Sequence, residues 1–279
     1  MCRIAVIILH YENLQDTLEC INSLNTQDEK NFDIVVVDNG SKNGKTESVE
    51  HLFSDNERIH FLYSKTNLGF AKGNNLGFCY AKEELHSDII VLANNDLIFS
   101  QPDFITKVQK AYIEEGYDVA GPRIISLVDG MNQNPVARMF YSKRDVLKRY
   151  LKTLILYALN TFSLDLFFKK IFAKPIQEFQ YDSSKDFQLY GACLIFGTEY
   201  IKKFNGLYPG TFMYVEEDIL RYQVEVNHLK MVYLDEIEVK HKEGSSTETV
   251  YEKGRLKRRF FYKWSLNSLK QLIGMIGSQ

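Results

Sequence analysis

Short runs of β-branched and aliphatic residues alternate with stretches of helical spacing through the first hundred residues, and this alternation restricts the architecture more than any other feature of the chain. Arg3 to Leu9, Phe32 to Val37, Ile59 to Tyr63 and Ile89 to Leu92 are nearly continuous in apolar character, as strands covered on both faces must be. Between the first two, Leu14, Leu18, Ile21 and Leu24 recur on one helical face. A glycine-punctuated turn then leads into a second helix, predicted from about Asn74 to Leu85. Strand and helix in alternation, joined by right-handed crossovers, predict an α/β protein with a mainly parallel sheet flanked by helices.

The second half is less regular. A helix is expected from Pro102 through Tyr112, then a short strand from Asp118 to Pro122 that its Gly-Pro pair stops, then a loop-rich stretch from Asp129 to Pro135. From Tyr141 to Phe172, Lys and Arg stand beside large apolar residues, with Val146, Leu147, Tyr150, Leu151, Leu154, Ile155, Ala158 and Leu159 in a helical stripe. Two readings of that stripe are open: a helix packed on the domain, or a face turned toward a membrane or a second subunit. The α/β pattern resumes with a strand from Gly191 to Gly197, a short helix from Thr198 to Phe204 and a strand from Met231 to Leu234. Tyr251 to Ile276 is a helix candidate that sets Arg255, Lys257, Arg258, Arg259 and Lys263 beside Leu256, Phe260, Phe261 and Trp264. The expected organisation is one domain over residues 1–250, with a helical insertion at about 140–180, and a basic amphipathic helical tail over 251–279.

Composition removes several function classes. A net charge of −2 over 279 residues lacks the basic excess of a dedicated nucleic-acid binder. Cys2, Cys20, Cys79 and Cys193 have no paired spacing, so they read as free thiols of a reducing compartment rather than a disulfide framework or zinc site. Ile4 to Leu9 is too short for a signal segment. Thr153 to Leu164 falls well short of the roughly 20 residues that span a bilayer. The expected location is cytoplasmic, either soluble or peripheral on the inner face of the membrane.

Polar residues gather just past the predicted strands, where open α/β sheets bind ligands. Asp38-Asn39-Gly40-Ser41 follows the second strand and Asn94-Asn95-Asp96 the fourth. Two amides and a carboxylate at such a point suit a hard divalent cation on a diphosphate. Asn-Asn-Asp is also ordinary turn chemistry. Three further segments stand out: Asn67 to Asn75 with Gly69 and Gly73, the acidic run Glu216-Glu217-Asp218 after Phe212-Met213-Tyr214, and His241-Lys242-Glu243-Gly244-Ser245-Ser246.

In order and wording these five segments closely resemble the family 2 glycosyltransferases, particularly a rhamnosyltransferase-like branch that builds bacterial surface polysaccharides. The resemblance runs from about Ile4 to Ser246 and implies a GT-A-like fold. It puts Asp38 where the family reads the base; a carboxylate there accepts the N3–H of uracil or thymine, a proton cytosine lacks, so a UDP or dTDP donor is implied. The alternative for Asp38 is a simple Asx-turn. Asn67 to Asn75 matches the family's "NxGFAxGNN" element beside the nucleotide, making Asn67, Gly69 and Asn74, together with Asn95, candidate donor contacts. Its other reading, compatible with the first, is a turn and helix start capped by Asn74 or Asn75.

The same resemblance sets Asp96 on the last position of the family's D-x-D metal motif, with Asn94 replacing the first Asp and lowering the local charge. His241 matches a His that ligates the metal or touches the diphosphate; its plain alternative is a polar loop residue. Imidazole suits Mn2+ better than Mg2+, and both ions remain candidates. For the general base the family pattern reads "ED", then Asp-Leu, then Arg a turn later. The simplest placement selects Asp218 and is preferred; the other selects Glu217 and puts Gln223 at the Arg position, with Arg221 as the neighbouring substitute. Gly191-Ala192-Cys193 matches a small-residue strand on the acceptor side, where Cys193 is a small buried hydrophobe and no nucleophile.

What the resemblance implies is a metal-dependent, inverting transfer of a hexosyl or deoxyhexosyl group from a nucleotide-sugar to a glycan or glycolipid acceptor. In the tail, Arg258, Arg259 and Lys263 with Trp264 and Phe261 suit an anionic lipid surface, and equally suit ordinary packing. A homo-oligomer is also open. Two other classes compete. A nucleotidyltransferase would share the α/β plan, although Leu9 to Asn13 lacks the glycine of its pyrophosphate loop. A noncatalytic nucleotide-sugar or glycan-binding protein would keep the pocket alone.

Overall fold

The structure, a computed structural model, describes residues 2–172, 179, 181–182, 186–243 and 254–277. The alternating half forms as expected: β1 (Ile4–His10), α1 (Leu14–Asn25), β2 (Asp33–Asp38), β3 (Ile59–Tyr63), α2 (Phe70–Glu83) and β4 (Ile89–Asn94). Then come β5 (Leu97–Ile98), α3 (Phe104–Glu115), β6 (Val119–Ser126), β7 (Val136–Ala137), α4 (Lys143–Asn160) and α5 (Asp165–Phe172). The chain continues through β8 (Phe187–Gln188), β9 (Cys193–Phe196), α6 (Thr198–Lys203), α7 (Glu216–Val226), β10 (Met231–His241) and α8 (Arg255–Ile276).

Among the described residues one eight-stranded sheet runs in the order β3-β2-β1-β4-β9-β6-β10-β5. Neighbours β3, β2, β1 and β4 are parallel, as are β6 and β10, whereas β9 runs against both β4 and β6, and β5 against β10. Because β9 reverses twice, β4 and β6 point the same way, and the carboxyl ends of β1, β2, β4, β6 and β10 share one edge. Alternate residues of β1 explain the layers. Ile4, Val6 and Ile8 face Cys20, Ile21 and Leu24 of α1 and Phe104 and Val108 of α3. Ala5 and Ile7 face Ala71 and Phe78 of α2, Tyr200 of α6 and Leu220 of α7. Both sheet faces are covered, which is why these strands read as unbroken apolar runs.

Several elements differ from the sequence reading. The second helix starts at Phe70, so Asn74 and Asn75 lie inside it, and the N-cap position belongs to Gly69 at φ 83°. Gly121-Pro122 does not stop β6: pairing with β9 ends at Ala120, and the missing Pro122 N–H falls where that side of the strand is already open. β10 runs on from Leu234 through the polar Asp235 to His241, absorbing an irregularity between Leu234 and Glu238. His241 is therefore a strand-end residue and not a loop residue.

The insertion and the tail form one helical layer. Phe140 and Val146 at the start of the insertion, Ile219 and Tyr222 of α7, and Leu269 and Leu272 of α8 share a third apolar cluster. Tail residues brace the chain around the acidic run: Trp264 stacks on Phe212 with ring centroids 4.3 Å apart, and Ser268 Oγ donates to the Met213 carbonyl at 3.1 Å. Arg258 donates through Nε to the fully buried Asp165 at 2.6 Å, Tyr262 OH donates to the same carboxylate, and Arg259 lies 4.5 Å from the Tyr157 ring centroid. Two of the cations read as lipid-facing are thus committed inside the molecule.

Arg258→Met is expected to cost about 3–5 kcal/mol, because it strands a buried carboxylate. The hydrogen bond from Arg258 is the main cause holding Asp165 below the ordinary carboxylate range. That stabilisation is fully present above the unfolded value near ~3.9 and is lost as pH falls through the folded value. Urea melts of wild type at pH 7 and in acid should show this slope, and the variant should have lost it.

Candidate active site

Parallel strand ends collect the polar segments on one edge. Past β4 the chain turns through Asn95-Asp96 and comes back as β5, which pairs Leu97 with His241. Lys242 N–H donates to the Asp96 carbonyl at 3.0 Å, fixing that turn against the end of β10. Asp96 Oδ1 then lies 3.2 Å from His241 Nε2, and both residues are buried. His241 Nδ1 meets Gln133 Oε1 at 2.7 Å. An amide oxygen only accepts, so Nδ1 carries a proton and Nε2 is left facing the Asp96 carboxylate. A carboxylate oxygen and an imidazole nitrogen facing each other in a buried place need a proton or a metal cation between them, and this donor set fits a divalent cation. Among the described residues no group of three or more His, Cys, Asp and Glu side chains surrounds a possible ion. Two protein ligands leave most coordination positions for other oxygens, as a diphosphate supplies.

Asp38 and the donor candidates lie on the same edge. Register pairs His10 with Asp38 and Leu9 with Asn94, so Asp38 sits two strands, about 10 Å, from the Asn95-Asp96 turn. Its carboxylate closes its own loop: Oδ1 accepts from Ser41 N at 2.9 Å, and Oδ2 from Thr46 N at 3.1 Å. The carboxylate of Glu12, at φ 64°, accepts from Lys42 N and Asn43 N and holds the far side of that loop. Asn39 ties the loop to the next one, accepting from Leu68 N at 2.9 Å and donating to the Gly69 carbonyl at 3.1 Å. Asn67 accepts from Gly69 N, an Asx-turn that delivers the chain into α2. A Cβ at Gly69 would lie 2.2 Å from the Phe212 carbonyl oxygen. Asn75 spans to Leu207, and Asn95 donates to the Asn13 carbonyl and to Thr17 Oγ1. Asn74 Oδ1 is buried without a partner.

Two consecutive left-handed residues, Tyr214 at φ 69° and Val215 at φ 73°, deliver the chain into α7. A β-branched residue in that region is strained, and buried packing around Val215 holds it there. The three acids that follow have different environments. Glu216 is buried and its carboxyl is pushed up to about 8, first by burial and next by the charge of Glu217. Asp218 is ion-paired with Arg149 of α4 and accepts from Gln188 Nε2 at 3.2 Å. Glu217 instead lies against Gly191, whose added Cβ would stand 2.8 Å from Glu217 Oε1. Burial, followed by the charge of Asp218 among the raising causes, pushes the Glu217 carboxyl above the ordinary range.

Tyr190 joins the two centres. Its ring centroid is 6.1 Å from that of His241, and its phenol is pushed up to about 12 by burial and then by the charges of Glu217 and Asp96. Glu217 of the acidic helix start and the Asp96–His241 pair therefore both lie close to Tyr190.

Residues 5–174 match the sequence profile of Glycosyl transferase family 2. The chain belongs to that family. The low-salt glycan biosynthesis hexosyltransferase Agl10 of Haloferax volcanii is 28% identical over 123 residues, 44% of this chain and 37% of that protein. The glycosyltransferase GlyG of Streptococcus pneumoniae is 25% identical over 95 residues, 34% of this chain and 31% of that one. The chain spans about a third of the length of these two curated relatives. Among solved structures, S. aureus TarS 1-349 superposes with a TM-score of 0.58 at 14% identity, covering 98% of this chain and 65% of that one. Its complex with UDP-GlcNAc gives 0.57 at 15% identity, over 89% and 61%. The fold is GT-A-like.

In this family 2 chain the site includes residues that sequence reasoning passed over. Gln133 lies in the loop-rich stretch, Tyr190 just before the small-residue strand, and Arg149 in the insertion. Tyr190, adjoining Gly191, carried a signal of position alone. Arg221 does not replace the family Arg: its guanidinium is taken by Asp186 and the Phe187 carbonyl. Gln223 Oε1 is buried without a partner. Cys193 is fully buried, and burial drives its thiol far up, so it is no nucleophile. Gly244 to Ser246 lie outside the described residues.

Proposed function

We propose that this chain transfers a sugar from a UDP or dTDP donor to a glycan acceptor with inversion, using Glu217 as general base and the Asp96–His241 pair as the protein half of a metal site. The observation that carries the reading is Tyr190, whose ring contacts His241 and whose phenol senses both Glu217 and Asp96. A base on one side of a cleft and a diphosphate-holding pair on the other is what a direct displacement at the anomeric carbon requires. A divalent cation bound there, Mn2+ or Mg2+, would offset charge developing on the leaving diphosphate.

Each protein group then has one task. Glu217 takes the acceptor hydroxyl proton; its raised proton affinity matches that work near neutral pH. Arg149 and Gln188 absorb the neighbouring charge of Asp218 and leave Glu217 free to turn toward Gly191. Gln133 fixes the His241 tautomer. Asp38, Asn39 and Asn67 hold the two loops that frame the base and ribose, and Asn74 Oδ1 retains an unused acceptor beside them. A uridine donor is supported by the UDP-GlcNAc bound to the TarS relative of like fold. The reading extends to a lipid-linked acceptor in surface polysaccharide synthesis and to the rhamnosyltransferase-like branch, both resting on motif wording.

The test is product analysis with a panel of UDP- and dTDP-sugars. The expected result is nucleoside diphosphate release that needs Mn2+ or Mg2+ and stops in EDTA. Pyrophosphate release from UTP or dTTP would assign a nucleotidyltransferase, and saturable donor binding without any release would assign a noncatalytic binder.

A further inference from the structure

Among the described residues the outer face of the helical insertion is left exposed. At 100° per residue, Val146, Leu156 and Asn160 turn inward and are buried, while Leu147, Leu151, Leu154 and Ile155 fall on another face and are 40–55% exposed. The apolar surface continues through Phe162 at the end of α4 and Phe167 of α5, 74% and 65% exposed. Monomers rarely leave contiguous apolar surface of this kind uncovered without a use. Arg144, Lys148 and Lys152, all exposed, line one side of it. From Val146 to Leu164 the sequence holds no Asp or Glu. Asp145, just before, is bound to Ser142 Oγ and Tyr141 N.

We infer that the apolar face of α4 and α5 docks on an anionic lipid bilayer, with the large apolar side chains entering the head-group boundary and Arg144, Lys148 and Lys152 contacting the lipid phosphates. Charge selects this occupant over a second copy of the chain. In a two-fold contact the patch would meet itself, bringing Arg144, Lys148 and Lys152 against an equally basic edge, with Asp145, 4.0 Å from Lys148, as the one acid of α4. An anionic head-group layer supplies the opposite charge, and each basic side chain near such a surface raises partitioning about five-fold. This moves the membrane contact from the basic tail to the insertion: Arg258 and Arg259 of α8 are half-buried and used internally, whereas Arg144, Lys148 and Lys152 of α4 are exposed. The inference holds whatever the acceptor is, because it concerns a surface and not the chemistry.

The test is sedimentation of the full chain with phosphatidylcholine vesicles that contain or lack phosphatidylglycerol. Binding is expected with phosphatidylglycerol only, weakening as salt is added. Leu151→Glu with Ile155→Glu should abolish it, and Lys148→Gln with Lys152→Gln should lower it about 25-fold. All four positions are exposed, so circular dichroism and soluble donor turnover should match wild type. Three results would overturn the inference: no binding by wild type, equal binding to both vesicle types, or unchanged binding by the Leu151/Ile155 variant. A wild-type dimer in sedimentation equilibrium that this variant makes monomeric, without vesicle binding, would assign the face to a second copy.

Discussion

Glu217→Gln is expected to lower sugar transfer by roughly 10²–10⁴-fold while leaving donor affinity close to wild type. The amide keeps the shape that fits against Gly191 and removes the ability to take a proton. Asp218→Asn should behave differently. Asp218 is buried under Arg149 and Gln188, so its loss should appear first as a lower thermal midpoint, with a smaller fall in rate from displacement of the Glu217 helix turn. Wild-type kcat/KM should rise with pH along a limb displaced above the ordinary Glu value of ~4.3, because burial favours the protonated base. Glu216, pushed up to about 8, is still neutral along most of that limb. Its contribution to stability has the opposite sign to that of Asp165: it is fully present below the unfolded value and declines as pH rises toward about 8. Stopped-assay rates for the two variants across pH 5–9 separate the roles, the range being set by these about two limits. Wild-type rates from Glu217→Gln would put the base elsewhere.

Sequence was most informative where a single local force decides the outcome. β1, β2, β3 and β4 are legible because both faces of each are buried, which demands unbroken apolar runs. β6 and β10 escaped in part for the converse reason. Pro122 is tolerated on a side of β6 that β9 no longer pairs, and Asp235 and Glu236 are exposed where β10 is irregular. The direction of β9 and the packing of α8 on α4 depend on partners distant in sequence, which no period within either segment encodes. The same division holds at the site. The order of Asp38, Asp96, the Glu217-Asp218 pair and His241 along the chain was readable, because each follows or opens an element at the ligand-binding edge. What their side chains touch was not. Asp38, Asn67 and Asn95 also serve neighbouring backbone, and Gln133 reaches His241 across 108 positions of sequence. The proposal of Glu217 over Asp218 rests on Arg149, which comes from a helix that matched no motif.

Asp96→Ala is expected to remove cation-stimulated turnover, with a loss of about 10²–10³-fold or more, since the variant gives up the carboxylate proposed to hold the cation on the diphosphate. Gln133→Leu should be milder, raising the cation concentration needed for half-maximal rate by about 10–100-fold, because His241 stays but its tautomer is no longer fixed. Asp96→Asn separates chemistry from stability. In wild type Asp96 Oδ1 and His241 Nε2 lie 3.2 Å apart, an arrangement that needs a proton or a metal cation between them. An Asn amide turned toward Nε2 would donate a hydrogen bond there and satisfy both buried groups. The metal-free variant should therefore melt at or above the wild-type temperature although its turnover is lost, the pattern expected where a fold gives up stability to keep a site. Manganese binding measured by paramagnetic resonance with UDP present should be lost in both Asp96 variants, independently of any rate. Full wild-type activity in excess EDTA, or undiminished manganese binding by Asp96→Ala, would remove the cation from this pair.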